Sequence, residues 1–182
     1  MSGRYEIRFS GSGGQGLILA GVIFAEAAAI YDGKNAVQSQ SYGPEARGGA
    51  SKSEVILSDE TIDFPKATSI DLMLALTQEA CSKYYKDITS GGTLLVDEDF
   101  VRDIPRGDFN VVVLPIIRTA SEEIGKAFAA NIVAIGAIAA ITGRVSREAV
   151  EKAVLSRVPK GTEELNRKAL LAGYELVERR AV

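Results

Sequence analysis

The sequence predicts an α/β fold: a three-layer, Rossmann-like arrangement with a mostly parallel, doubly wound sheet and helices on both faces. Three observations predict it. Short apolar runs alternate with longer helical segments along the chain, the pattern of a sheet wound by crossover helices. The first run leads straight into Gly11-Ser12-Gly13-Gly14-Gln15-Gly16 and then into an apolar helix. The chain has 182 residues, 46% of them hydrophobic, enough for one core, and nothing in residues 1–182 resembles a linker, repeat or low-complexity tract. A single domain is the expectation.

The first strand is expected over Tyr5 to Ser10, the first helix over Leu17 to about Tyr31, closed by Asp32-Gly33-Lys34. A second strand follows from about Ala36 to Ser39, and a third from Ser51 to Leu57, where apolar residues alternate with small or charged ones. Ile70 to Leu76 reads as a buried central strand, with Thr77 the N-cap of a helix reaching Asp87. Gly91-Gly92 is expected to turn the chain into a strand at Thr93 to Val96, and Val111 to Leu114 forms another. Thr119 and Glu122 have capping-box spacing for a helix starting there. Asn131 to Thr142, Ser146 to Arg157 and Thr162 to about Arg179 read as helices.

Composition narrows the chemistry. There is no histidine, so a Ser-His-Asp relay is impossible and a zinc site would lack imidazole ligands. The one cysteine, Cys81, cannot make an internal disulfide or supply the thiolates of an iron–sulfur cluster, and reads as a packing residue. Net charge is −3, from 21 basic and 24 acidic residues without a basic stripe, so no nucleic-acid partner is expected. The N-terminal residues lack the apolar core of a signal peptide, and a cytoplasmic location is expected. No charge occurs between Lys126 and Arg144, but Asn131, Gly136 and Thr142 interrupt that run. It is read as a buried helix, not a membrane span. This helix and Leu17–Tyr31 are nearly charge-free, which points to self-association.

The glycines at 11, 13 and 16 have G-x-G-x-x-G spacing between a strand and a helix, where backbone amides can face an anion. The first glycine is expected to permit the tight turn, the second a close approach, the third helix–strand packing. A dinucleotide site would also place a carboxylate at the end of the second strand, but that region is Val37-Gln38-Ser39-Gln40-Ser41. Three readings stay open for Gly11, Gly13, Gly14, Gln15 and Gly16: a structural turn, contact with an anion or a partner chain, and an NAD or FAD site. A second segment, Ser39 to Ser51, carries Gln40, Ser41, Tyr42, Glu45, Arg47, Gly48 and Gly49. It should leave the sheet beside the glycine turn. It is either a surface loop or a ligand or partner loop, in which Arg47 offers a fork to a carboxylate or phosphate. No residue is assigned as catalytic or as a metal ligand.

Taken together, the glycine turn, the run Gln38 to Glu54 (QSQSYGPEARGGASKSE), Ile70 to Leu76, Gly91 to Asp97 (GGTLLVD) and Asn131 to Ala137 (NIVAIGA) resemble the gamma subunit of the 2-oxoacid:ferredoxin oxidoreductases. That subunit also occurs as a domain fused within single-chain pyruvate:ferredoxin oxidoreductases. The motifs span nearly the whole chain in order. The resemblance implies one subunit of an enzyme that decarboxylates a 2-oxoacid with coenzyme A to acyl-CoA, carbon dioxide and reduced ferredoxin. It implies alpha and thiamine-diphosphate beta subunits and a ferredoxin-like delta subunit as partners. Thiamine diphosphate, Mg2+ and iron–sulfur clusters are then expected on those subunits and no cofactor on this chain, whose Gly107-Asp108-Phe109-Asn110 lacks the rest of a thiamine-diphosphate motif. The SYGPEARGG form is most similar to the 2-oxoglutarate enzymes; pyruvate, ketoisovalerate and indolepyruvate relatives share the pattern. The competing readings are a stand-alone NAD-dependent oxidoreductase and a non-catalytic nucleotide-binding or scaffold domain.

Overall fold

A computed structural model describes residues 3–41 and 49–181. The strands are β1 (Tyr5–Ser12), β2 (Asn35–Ser41), β3 (Ala50–Ser58), β4 (Ile70–Ala75), β5 (Ile88–Asp97) and β6 (Phe109–Leu114). They form one sheet in the order β2-β3-β1-β4-β5-β6. β1, β4, β5 and β6 are joined in parallel, whereas β3 runs antiparallel to both β1 and β2. The sheet is therefore mostly parallel, as expected, with β3 alone reversed. The cause is chain length: Ser41 and Ala50 are too close in sequence for the dozen or more residues that a parallel return requires. A hairpin is what remains, and β3 wedges between β2 and β1.

Alternation along each strand divides the core between the faces. Leu72 and Leu74 of β4 join Ile7 and Phe9 on the face covered by α1 (Leu17–Glu26), α4 (Ala130–Thr142), α5 (Arg147–Arg157) and α6 (Glu163–Arg180). Met73 and Ala75 join Leu94 and Val96 on the other face, under Cys81 of α2 (Gln78–Tyr84) and the loop residues Ala67 and Val101. The Thr77 hydroxyl accepts from Ala80 N and Ser146 Oγ from Ala149 N, so both α2 and α5 start on local caps. Ser146 is itself held by Asp32, which accepts from its amide (2.6 Å) and its hydroxyl (2.7 Å).

Three expectations are corrected. Gly91 and Gly92 lie inside β5, at an irregularity of the β4–β5 register, not in a turn before it. Thr119 is buried in helical backbone, not an N-cap. The helix begins earlier, as α3 (Ile116–Arg118) continuing through a π-helical turn at Thr119–Glu123, and its Ile117 amide donates to Asp97 Oδ2 at 2.8 Å. A carboxylate from the end of β5 thus does what a local threonine was expected to do. Finally, α4 needs no second subunit to cover it, since Ala130 to Ala139 are buried within this chain. α6 lies against it so closely that a Cβ on Gly136 would stand 2.2 Å from Leu170 O, and one on Gly173 2.1 Å from Val133 O. No described helix is long and apolar enough to cross a membrane.

Candidate functional site

The glycine turn joins β1 to α1 at the edge of the sheet where the parallel strands end. Gly14 (φ +85°) and Gly16 (φ +72°) occupy left-handed backbone, so the tight turning falls to them. Gly11 is instead the close-packing glycine: a Cβ there would meet Gln15 Oε1 at 2.2 Å and Leu76 Cβ at 3.3 Å. The Gln15 side chain folds back across the turn, its Oε1 accepting from Ser12 N at 2.8 Å. Asn131 of α4 fixes the far end, with Nδ2 donating to Gly16 O at 3.3 Å. Gly13 and Gly14 are left exposed, and no atom lies within 4 Å of a Cβ built on either.

Gly16 caps α1 without a side chain, and the first turn of α1 holds no acidic residue. Its first amides therefore have no local side-chain acceptor. A depression of about 300 Å³ opens here, lined by Ser12, Gly13, Gly14, Leu17, Leu19 and Ser51. Amides at a helix N-terminus beside bare glycine backbone suit a carboxylate, a phosphate or another backbone carbonyl.

The hairpin brings the second candidate segment to this edge. Ser12 pairs with Ala50 and Gly11 with Ser51, so Gly49 lies next to the glycine turn. Gln40 and Ser41 end β2, pairing with Ser53 and Lys52. They share the edge but stand one strand farther off, across β3. Tyr42, Glu45, Arg47 and Gly48 lie outside the described residues. The same intervening strand counts against a dinucleotide. In a nucleotide-binding βαβ unit the ribose-binding residue ends a strand next to β1; here β2 is a strand removed and ends in serine and glutamine.

The start of β3 is held from below. Tyr84 donates its hydroxyl to Ala50 O at 3.2 Å. Its ring has Arg8, Lys52 and Lys83 within 5.4–5.5 Å of its centroid. The buried Glu54 accepts from Lys52 (2.9 Å) and Arg8 (2.9 Å), and Arg8 also reaches Asp87 at 2.6 Å. Sequence reasoning gave no role to this network, to Asp97 or to Asn131. Asn131 left a signal, as the sole polar side chain between Lys126 and Thr142. Asp97, fully buried, accepts at Oδ1 from Asp99 N and Phe100 N as well as at Oδ2 from Ile117 N, so it organises the loop after β5.

A larger cavity, about 400 Å³, lies at the opposite edge, lined by Arg4, Glu6, Thr68, Ser69, Asp71 and Thr89. Its buried Glu6 is fully engaged: Oε1 accepts from Arg4, and Oε2 from the amides of Thr68 and Ser69, each at 2.7 Å. Burial, with the neighbouring Glu6 charge, raises the pKa of Asp71. Glu6 pins the loop before β4, Asp71 accepts from the Glu6 amide at 2.7 Å, and neither holds a candidate residue.

Among the described residues no three histidine, cysteine, aspartate or glutamate side chains converge to hold a metal ion. Cys81 is buried, and burial pushes its thiol pKa up to about 11, the behaviour of a packing residue and not of a nucleophile or cluster ligand. With a single buried thiol, the described residues do not fit an iron–sulfur site.

Comparison with known proteins places this architecture. The model of the pyruvate ferredoxin/flavodoxin oxidoreductase family matches residues 6–176. The 2-oxoglutarate synthase subunit KorC of Methanocaldococcus jannaschii is 56% identical over 96% of this chain and 95% of its own. The pyruvate synthase subunit PorC of Methanothermobacter thermautotrophicus is 28% identical over 96% of each chain. Among solved structures, the keto/oxoacid ferredoxin oxidoreductase gamma subunit from Geobacter sulfurreducens superposes with a TM-score of 0.91 at 62% identity, covering 98% of both chains. The 2-oxoglutarate:ferredoxin oxidoreductase of Magnetococcus marinus shares the fold at a TM-score of 0.87 and 23% identity, over 98% of this chain and 32% of its own.

Proposed function

The chain belongs to the pyruvate ferredoxin/flavodoxin oxidoreductase family, and we propose that it acts, as a single domain, as the gamma subunit of a 2-oxoglutarate:ferredoxin oxidoreductase. The observation that carries the choice of oxoacid is the gap in identity: 56% to a 2-oxoglutarate synthase subunit against 28% to a pyruvate synthase subunit, both compared over 96% of the chain. In the reaction the C1 carboxyl of 2-oxoglutarate leaves as carbon dioxide. The remaining acyl group passes to the thiol of coenzyme A as succinyl-CoA, and two electrons reduce ferredoxin.

The iron–sulfur clusters belong to other subunits, because this chain offers one buried thiol; thiamine diphosphate and Mg2+ are assigned to the partner subunits on the family resemblance. The chain's own contribution is the edge formed by Gly11–Gly16 and Gly49, with Arg47 as a further contact residue. This edge meets either an anionic group of coenzyme A or a carboxylate of a partner subunit. Exposed glycine backbone and uncapped α1 amides support that role. The protein works in the cytoplasm, where the enzyme's soluble substrates and ferredoxin are found.

The test is purification through a tag on this chain from its own host. Alpha, beta and delta subunits should accompany it, with clusters and thiamine diphosphate in the complex. The chain made alone should be colourless and inactive with any 2-oxoacid, coenzyme A and a viologen acceptor. Bound iron with charge-transfer absorbance near about 400 nm in the isolated chain would overturn this division of labour.

A further inference from the structure

We infer that β2 is the surface through which two copies of this chain associate, pairing edge to edge about a two-fold axis into one continuous sheet. The two outer strands of the sheet are treated differently. At β6, Arg180 of α6 lies across the edge: its Nη1 donates to Val113 O at 2.9 Å and its Nη2 to Val111 O at 3.4 Å. A cation occupying those carbonyls blunts the strand against further pairing.

β2 has no such protection. Its register with β3 runs unbroken from Asn35↔Ser58 to Ser41↔Lys52, so no bulge twists the edge away. From Asn35 to Ser41 it contains no proline and no charged residue. Among the described residues, no side chain from another element hydrogen-bonds its backbone. The one side chain that does is its own, Gln38 Nε2 to Ser39 O at 3.3 Å. Charge, proline, bulges and covering groups are the usual means of keeping an edge from pairing, and among the described residues β2 has none of them.

A second copy suits this edge better than another chain for three reasons. A two-fold axis sets a strand antiparallel to itself, so identical edges complement each other without further sequence requirements. With the axis at Gln38, Val37 faces Ser39 of the second copy and Ala36 faces Gln40. A chain of net charge −3 also meets its copy here along a strand without charge, so like charges are kept from the joint. Lastly, strand pairing alone buries little area, and exposed apolar side chains end the helical segment just before β2: Ile30 is 66% exposed and Tyr31 40%. The inference does not depend on which oxoacid the enzyme uses.

The full chain is examined by light scattering up to about 100 µM and by hydrogen exchange. A dimer is expected, with the amides of residues 35–41 exchanging more slowly at high than at low concentration. The double variant Asn35→Lys/Ser39→Lys changes two exposed positions and sets four lysines across the joint. It should raise the dimer dissociation constant at least about tenfold, with an unchanged circular dichroism spectrum. A wild-type monomer at every concentration, or a dimer indifferent to the lysines, would overturn the proposal. So would β2 amides protected only after the other subunits are added, which would give the edge to a partner's strand.

Discussion

The side-chain amide of Asn131 donates to the carbonyl of Gly16 at 3.3 Å, tying the first turn of α4 to the residue that starts α1. The fit is tight, since a Cβ on Gly16 would lie 2.5 Å from Asn131 Nδ2, and Gly16 has φ +72°. Gly16→Ala therefore adds backbone strain to a clash. It should cost about 2 kcal/mol or more, a fall of roughly 4–8 °C in Tm for a chain of this size. Asn131→Ala removes only the hydrogen bond and should cost about 1 kcal/mol. Thermal unfolding checks both, and an unchanged Tm for Gly16→Ala would show that the turn is not held as described.

The crossing of α4 and α6 is more demanding. At Gly136 and Gly173 the obstacles to a Cβ are backbone atoms, which cannot rotate away. Either glycine changed to alanine should force the helices apart and destabilise by about 2–4 kcal/mol, at the upper end for overpacking. Denaturant unfolding measures it. A cost below about 0.5 kcal/mol, the range of neutral surface changes, would contradict the packing.

Asp71 gives a pH dependence. Burial and the Glu6 charge raise its pKa in the folded state above the ordinary 3.8. A raised folded pKa means that the folded chain holds this proton more tightly than the unfolded chain. The associated stability is present in full below the ordinary value and is lost as pH rises through the raised one. At neutral pH the ionised carboxylate thus works against the fold. Asp71→Asn, which keeps an oxygen to accept from Glu6 N, should stabilise the protein at pH 7, and the gain should vanish at acid pH. Unfolding free energies measured across pH 3 to 7 (roughly the carboxylate range) test the sign. A variant less stable than wild type at pH 7 but not at pH 3 would reverse it.

These positions also mark how far the sequence could be read. The cap at Thr77, the helix starting at Ser146 and the strand beginning at Ile70 were legible because each rests on local chemistry. The reversed β3 was legible in principle, from the few residues between Ser41 and Ala50, but strand alternation carries no direction. Thr119 and Glu122 have the spacing of a capping box, yet Asp97 caps that helix from a different strand, a contact that no local pattern reveals. The same holds for α4. Its charge-free run looks like an interface until α6 is seen to cover it, and the two glycines that allow this are 37 residues apart in sequence. At the candidate site the glycine turn was recognised, but its glycines exchanged roles: Gly14 and Gly16 turn the chain and Gly11 packs.

Arg47 carries the largest functional expectation in the loop between β2 and β3. An exposed arginine contributes under about 1 kcal/mol to folding. One desolvated against a carboxylate or phosphate costs about 2–5 kcal/mol when removed. Arg47→Ala should leave the Tm of the isolated chain nearly unchanged and lower assembly or turnover of the reconstituted complex at least about tenfold. Lost stability with normal activity per assembled complex would make the residue structural. No effect on either would make the loop an ordinary surface connection.

The most direct test of the functional assignment is coenzyme A-dependent ferredoxin reduction by the complex, reconstituted with and without this chain and supplied in turn with 2-oxoglutarate, pyruvate and 2-oxoisovalerate. Activity should require the chain. kcat/KM should be highest for 2-oxoglutarate by at least about tenfold, a difference of some 1.4 kcal/mol in transition-state stabilisation. Full turnover without the chain, or a preference for pyruvate or 2-oxoisovalerate, would contradict the assignment.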